Sequence, residues 1–211
     1  MYQSTQQRDH VSQIAESRPK EALKIARAIE DPWFRCQALT AVAFHCTDKA
    51  RKNRLLEEAF QAAILTEQPN RIVSVSSWPL KALVLSGQDD KLHREVERLL
   101  LVIAPEPSPV KRSDALNAML GAVVSAPRPL FWRVFEPFLA ACRMPLINGK
   151  RNTKGQARLA YWIPLTDRFA PARTPELLQV VGPVQRETAE ARITKYAHLS
   201  PKEWAGWPNL R

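Results

Sequence analysis

The residue types that most often carry out chemistry in proteins are scattered along this chain. The four histidines, His10, His45, His93 and His198, have no metal-binding spacing, and the cysteines form no CxxC pair. His45 and Cys46 are neighbours, but adjacent residues on a helix point about 100° apart and are poorly placed to share a metal ion. The sequence therefore predicts no metal site.

Motifs that bind phosphate or activate a nucleophile are also missing. A phosphate loop and the Gly-x-Ser-x-Gly turn of hydrolases need glycines at set positions, and the chain has only 6. Three pairs of carboxylates suit helix starts or solvated helix faces better than general acid and base roles. These pairs are Glu57/Glu58, Asp89/Asp90 and Glu187/Glu190. The sequence therefore predicts a protein that is not an enzyme and that needs no cofactor.

One stretch combines cationic and aromatic side chains. Residues 143–173 include seven basic residues against the single acid Asp167, and Tyr161, Trp162 and Phe169 lie among them. Such side chains can neutralise phosphates and stack on exposed bases. Trp162 and Phe169 are, however, seven residues apart, which is two helical turns on one face. This spacing favours a buried stripe, with the cations in solvent.

The net charge of +10 is unevenly distributed. Residues 1–105 have 15 basic and 13 acidic side chains, whereas residues 106–211 have 16 and 8. This asymmetry predicts an acidic partner, whether a protein, a nucleic acid or a membrane surface. Arg and Trp are enriched at binding hot spots, so the candidate contact residues are cations of the second half and two tryptophans. They are Arg112, Lys150, Arg151, Lys154, Arg158, Trp78 and Trp162.

The bulk composition is that of an ordinary globular protein, with 45% hydrophobic and 25% charged residues. No stretch approaches the roughly 18 to 20 apolar residues needed to span a bilayer, and the first ten residues lack an apolar signal core. We therefore expect a cytoplasmic protein that does not insert into membranes. Cys36, Cys46 and Cys142 are expected to be buried free thiols.

The elements that must position these residues are helices. The side chains of Phe131, Val134, Phe135, Phe138 and Leu139 recur at the spacing of one buried helical stripe, and no strand-type alternation appears. Breaks at Pro, Gly and Asp predict about ten helices after a short first one. Their spans are 8–17, 19–29, 33–46, 48–66, 69–86, 89–104, 110–126, 128–143, 155–170, 174–181 and 184–197. The fold class is therefore predicted to be all-α.

Paired in order, these helices form hairpins that begin near residues 19, 48, 89, 128 and 174. The form Arg-x-x-Ala-Leu occurs at 35–39 and at 112–116, early in the second helix of two hairpins. Residues 22–43 resemble the helix–turn–helix units of bacterial α-solenoid proteins. The variable unit length is more similar to HEAT-like repeats than to tetratricopeptide repeats, whose Trp-x-x-Leu-Gly-x-x-Tyr pattern is absent. The resemblance implies a scaffold that binds partners along a concave face.

The predicted architecture is one α-solenoid domain over residues 19–197, built from about five stacked hairpins. Stacking is expected because one hairpin cannot bury both of its apolar faces. Residues 1–18 are predicted to be an N-terminal cap or a partly disordered arm. Residues 198–211 are predicted to be an irregular tail. Pro79, Pro137 and Pro164 lie inside predicted helices and are expected to bend them.

The function that follows is that of a non-catalytic, protein-binding scaffold. The alternative is a HEAT-like protein that binds nucleic acid. HEAT-like alkylpurine DNA glycosylases have a cationic concave surface with Trp, Asp and Arg, and the chain offers these types at Trp162, Asp167 and Arg168. The spacing of the three is not a diagnostic motif, so this likeness is one of fold and composition.

Overall fold

The computed structural model describes residues 2–146 and 149–196. This part of the chain forms eleven α-helices and a 3-10 turn at Pro171–Arg173, without a strand, so the all-α prediction is confirmed for it. The predicted tail at 198–211 lies outside the described residues. The helices are α1 Tyr2–Ile14, α2 Pro19–Ala28, α3 Pro32–His45, α4 Lys49–Ile64, α5 Pro69–Leu85, α6 Asp89–Ile103, α7 Pro109–Val123, α8 Arg128–Arg143, α9 Thr153–Phe169, α10 Thr174–Val180 and α11 Pro183–Tyr196.

Short polar and proline signals set the helix starts. The side chains of Asp31, Asp48 and Ser108 accept hydrogen bonds from backbone N–H groups in the first turns of α3, α4 and α7. Proline occupies the first turn of many helices, where its missing N–H costs nothing. Helix α1 is the exception, since it begins six residues before the predicted span of 8–17. Its polar first half has neither a proline nor an apolar stripe to mark it.

The helices pack in an alternating pattern. The odd-numbered helices α1, α3, α5, α7, α9 and α11, here called the odd row, contact one another in sequence order. The even-numbered helices α2, α4, α6, α8 and α10, the even row, each pack against an odd helix next to them in the chain. Of the five predicted hairpins, α2–α3, α4–α5 and α8–α9 pack as pairs, whereas α6 and α10 pack mainly against the odd helices that precede them, α5 and α9.

One continuous apolar core runs from Val11 in α1 to Ala189 in α11. The predicted stripe of α8 is buried in it, from Phe131 to Leu139. The ring of Phe131 lies 5.7 Å from that of Phe135 and 5.4 Å from that of Phe169 in α9. The prolines at 79, 137 and 164 lie inside helices, as predicted. In the described residues there is no helix with both the length and the apolar character to cross a lipid bilayer.

Ion pairs join each even helix to the next along the even row. Every such pair links residues more than 30 positions apart, so none could be read from local spacing. From α2 to α10 they are Arg27–Glu58 at 2.7 Å, Lys91–Glu57 at 3.5 Å, Arg133–Glu97 at 2.7 Å and Arg143–Glu176. Four cations of the even row are therefore matched by carboxylates on a neighbouring even helix.

Candidate functional site

The starts of α7 and α9 lie side by side. Asn152 precedes the first residue of α9, and its Oδ1 accepts a hydrogen bond of 3.0 Å from the N–H of Gly155. The Nδ2 of the same side chain donates to the Oγ of Ser113 in α7 at 3.5 Å and to the carbonyl of Ala141 in α8 at 3.1 Å. The buried Asn152 side chain thus joins three helices. Two helix N-termini, each with a partial positive charge, are held next to each other.

Five cations surround these two helix starts and are here called the basic edge. Four of them, Lys111, Lys150, Arg151 and Lys154, are exposed to solvent. The fifth, Arg158, is partly covered, because its Nη1 pairs with a carboxylate of α7 at 2.7 Å. The side chains of Lys111, Arg151 and Lys154 form no ion pair within the described residues.

Asp114 is the carboxylate that pairs with Arg158 in the basic edge. Burial raises the pKa of Asp114, while the positive charges of Arg158 and Lys154 act in the opposite direction. The carboxylate therefore sits in a partly desolvated position that depends on its cationic neighbours. Within the described residues, Asp114 is the only acid that forms an ion pair with this edge, and Lys111, Arg151 and Lys154 leave a local excess of positive charge.

Arg112 supports this region from inside. Its guanidinium Nε donates to the carbonyl of Glu106 at 3.0 Å, Nη2 contacts the same carbonyl, and Nη1 lies 3.5 Å from the Sδ of Met144. These contacts tie the loop before α7 to the residue that follows α8. Arg112 is predicted to contact a binding partner, but its guanidinium forms hydrogen bonds within the protein.

The predicted aromatic anchors are not brought together with the cations. Trp162 is only 3% exposed, and its indole N–H donates to the Oδ1 of Asn117 in α7 at 2.8 Å. Trp78 is half-buried on α5, two odd-row helices away from α9. Among the aromatic residues of the stretch 143–173, Tyr161 is the most exposed, at 40%, and the guanidinium of Arg192 lies 5.4 Å from its ring centre. The buried-stripe interpretation of Trp162 agrees with this packing.

The three residues that suggested a glycosylase have separate surroundings. The indole of Trp162 is bonded to α7, and a carboxylate oxygen of Asp167 accepts a 2.6 Å hydrogen bond from the hydroxyl of Thr174. Arg168 is exposed on the last turn of α9. The polar groups of Trp162 and Asp167 are thus engaged within the protein.

The thiols and histidines form no metal centre in the described part of the chain, where no group of three or more His, Cys, Asp or Glu could hold an ion. All three cysteines are free. Cys36 and Cys142 are buried as predicted, and burial raises the pKa of both thiols well above the ordinary range. The prediction that Cys46 is buried is wrong: it is only partly buried, at the position that follows the last residue of α3.

Sequence reasoning located the cations of the basic edge but missed the groups that position them. Asn152, Asn117 and Asp114 are single polar residues without a motif. The one available signal was Asn152, since Asn is favoured as the residue that caps a helix start. Searches against protein-family models, curated proteins and solved structures found no match for this chain.

Proposed function

We propose that this protein is a non-catalytic scaffold, a HEAT-like α-solenoid, that binds an acidic protein partner through the basic edge. The contacts along the odd row support the solenoid arrangement, because stacked hairpins place the second helix of one unit against the second helix of the next. The ion pairs along the even row support it too, since they join neighbouring first helices in order.

The observation that carries the binding proposal is a cluster of exposed cations at two adjacent helix starts. Several exposed cations of the even row also form no ion pair with a described residue, but Lys111, Arg151 and Lys154 both lack one and lie together at the starts of α7 and α9. Two adjacent helix N-termini add positive potential at the same place. An anionic partner would find there several charges that the protein itself does not neutralise.

A protein partner is favoured over a nucleic acid because two of the three aromatic side chains of the basic stretch pack against the protein. Trp162 is covered by α7, and the ring of Phe169 packs against Phe131 and beneath the guanidinium of Arg128, 4.2 Å away. Single-stranded nucleic acids gain much of their affinity from stacking on exposed rings. Carboxylates need only the cations.

Capture of partners from the native host, with quantitative mass spectrometry, tests this proposal. The variant Lys150→Gln/Arg151→Gln/Lys154→Gln removes three cations of the basic edge. We expect wild type to recover acidic proteins that the variant recovers at least about tenfold less, since several rim charges are removed together. Prior nuclease treatment should leave the recovered proteins unchanged.

The matched control removes three exposed lysines of the first half. Lys20, Lys24 and Lys49 are exposed and lie in α2 and α4, away from the basic edge. The variant Lys20→Gln/Lys24→Gln/Lys49→Gln should recover the same proteins as wild type. Equal recovery by both triple variants, or loss of the proteins after nuclease treatment, would contradict binding of a protein through the basic edge.

Nucleic acid is the second candidate, favoured by one observation. Tyr161 is 40% exposed one helical turn after Arg158, so a ring and a cation are neighbours on the surface of α9. Anisotropy of labelled DNA and RNA, measured over a range of salt concentrations, tests it. If phosphates bind the basic edge, the slope of log affinity against log salt concentration should be shallower in the triple variant than in wild type. The expected difference is roughly 0.7 to 0.9 for each phosphate that the variant no longer neutralises.

Absence of catalysis is also part of the proposal and needs its own assay. Purified protein incubated with alkylated duplex DNA should release no modified base. Release that disappears in Asp167→Asn would contradict the non-catalytic scaffold and favour the glycosylase-like alternative.

A further inference from the structure

A groove of about 470 Å³ opens beside α4, far along the chain from the basic edge. Helix α2 has 10 residues and α4 has 16, and α2 contributes only Arg27, from its last turn, to the walls. The other walls come from the first half of α3 and from residues 54–65 of α4. The short α2 thus leaves the last turns of α4 without a helix on that side.

The floor of the groove is apolar. Leu39 of α3 and Ala62 of α4 line it, and Leu65 at the end of α4 keeps 57% of its surface in solvent. Covering the exposed part of Leu65 with an apolar side chain would remove apolar surface from water, which is favourable.

The charged residues of the groove differ in how they are paired. Both oxygens of Glu58 accept hydrogen bonds from Arg27, at 2.9 and 2.7 Å. Glu57 pairs with Lys91 of α6 at 3.5 Å. Arg35 and Arg54 also line the groove, and neither forms an ion pair with a described residue. The groove therefore offers two guanidinium groups beside an exposed leucine.

We infer that this groove binds a short segment of a protein partner in which a large apolar side chain lies next to a carboxylate. The apolar side chain would contact Leu65, and the carboxylate would pair with Arg54 or Arg35, whose planar donors suit it. Residues 54–65 of α4 span about 16 Å, the length of about five extended residues. The site uses none of the residues of the basic edge and does not depend on the function proposed for it.

A random dodecapeptide library displayed on phage and selected on the full chain tests the inference. Enriched peptides should carry Asp or Glu within a few residues of Leu, Ile, Met or an aromatic residue. In fluorescence polarisation, Arg54→Gln and Leu65→Gln should each weaken a selected peptide about tenfold, since a charge-assisted hydrogen bond or a buried leucine contact contributes on that scale.

Helix α6 provides matched controls outside the groove. Arg94 is an exposed arginine, and Leu101 is a leucine with 76% of its surface in solvent. Arg94→Gln and Leu101→Gln should leave peptide affinity unchanged. Thermal unfolding of all four variants should match wild type, so that a loss of affinity reports the groove and not the fold.

Three outcomes would overturn the inference. The selection could enrich no peptide, or it could enrich peptides whose affinity is unaffected by Arg54→Gln and Leu65→Gln. It could also enrich acidic peptides that lose affinity only in the Lys150/Arg151/Lys154 triple variant, which would favour the basic edge and reject the groove. Loss of affinity confined to the groove variants would support the groove and say nothing against the basic edge.

Discussion

The ion-paired cations of the even row and the cations of the basic edge differ in what faces them. Along the even row, Arg27, Lys91 and Arg133 each meet a carboxylate on the next even helix. At the basic edge, Asp114 pairs with Arg158, and the exposed Lys111, Arg151 and Lys154 have no such partner in the described residues. An excess of charge in the sequence therefore becomes informative only once the ion pairs within the protein have been identified.

The two regions also rest on the same apolar core. Exposed ion pairs each contribute only about 0.2 to 1 kcal/mol to stability, because solvent screens them and side-chain entropy opposes them. The packing beneath them must therefore dominate the free energy of unfolding. The loss of stability on substitution should therefore be largest in the core, smaller at a buried polar contact, smaller again at a surface ion pair and smallest at the basic edge.

The largest effect is expected in the core beneath both regions. Phe131→Ala should destabilise the protein by about 3 to 5 kcal/mol, because it removes a buried ring that packs on Phe135 and Phe169. Urea denaturation followed by circular dichroism measures this change. Leu101→Ala, at a highly exposed leucine, should cost within about 0.5 kcal/mol. Similar losses in the free energy of unfolding of the two variants would contradict this order.

The next effect concerns the link that holds the basic edge. Asn152→Ala should destabilise by about 1 to 2 kcal/mol, because it removes the cap of α9 and the bonds to Ser113 and Ala141. A coupled substitution sharpens the test. A Cβ added at Gly155 would lie 2.6 Å from the Nδ2 of Asn152, so Gly155→Ala should be destabilising in wild type and tolerated in Asn152→Ala. Additive costs would contradict this geometry.

Trp162 should show a smaller effect that reports its link to α7. Trp162→Phe removes the indole N–H donor to Asn117 and should cost about 1 kcal/mol, with some further loss from packing. Asn117→Ala should cost a similar amount, and the double variant should cost less than the sum of the two, as measured by urea denaturation. Full additivity would mean that the two side chains do not interact.

The helix boundaries and the buried stripe of α8 could be predicted because they depend on residues close in sequence. Prolines and caps such as Asp31 mark helix starts locally, and the period of 3.6 identifies a buried face. Contacts such as Trp162–Asn117 join residues 45 positions apart, and no local pattern encodes them. For the same reason the spacing of Trp162 and Phe169 left open whether their shared face meets the core or a ligand. The contacts of Phe131 and Asn117 decide that question.

Individual ion pairs of the even row should matter less than either buried residue. Hydrogen bonds from Arg133 lower the pKa of Glu97 below its usual range. A carboxylate with a lowered pKa in the folded state stabilises the protein above its unfolded pKa, and this contribution is lost as the pH falls through the folded value. Arg133→Ala should therefore cost about 0.2 to 1 kcal/mol at pH 7, and this cost should shrink as the pH falls below the ordinary pKa of a glutamate. A destabilisation by Arg133→Ala that does not change with pH would contradict a stabilising Arg133–Glu97 ion pair.

The most direct test compares the two regions by neutralising three cations in each. One variant is the basic-edge triple Lys150→Gln/Arg151→Gln/Lys154→Gln, and the other is the even-row triple Arg27→Gln/Lys91→Gln/Arg133→Gln. Both lose three positive charges, so a general effect of net charge is the same in each. Thermal unfolding and recovery of partner proteins are measured for both.

We expect opposite outcomes for the two triple variants. The free energy of unfolding of the basic-edge triple variant should lie within about 0.5 kcal/mol of the wild-type value, because the substituted side chains are solvent exposed. The same variant should lose recovery of partner proteins. The even-row triple should be less stable than wild type, by up to about 3 kcal/mol if the three pairs add, and should keep partner recovery. Loss of recovery in the even-row triple, with recovery intact in the basic-edge triple, would contradict the central claim.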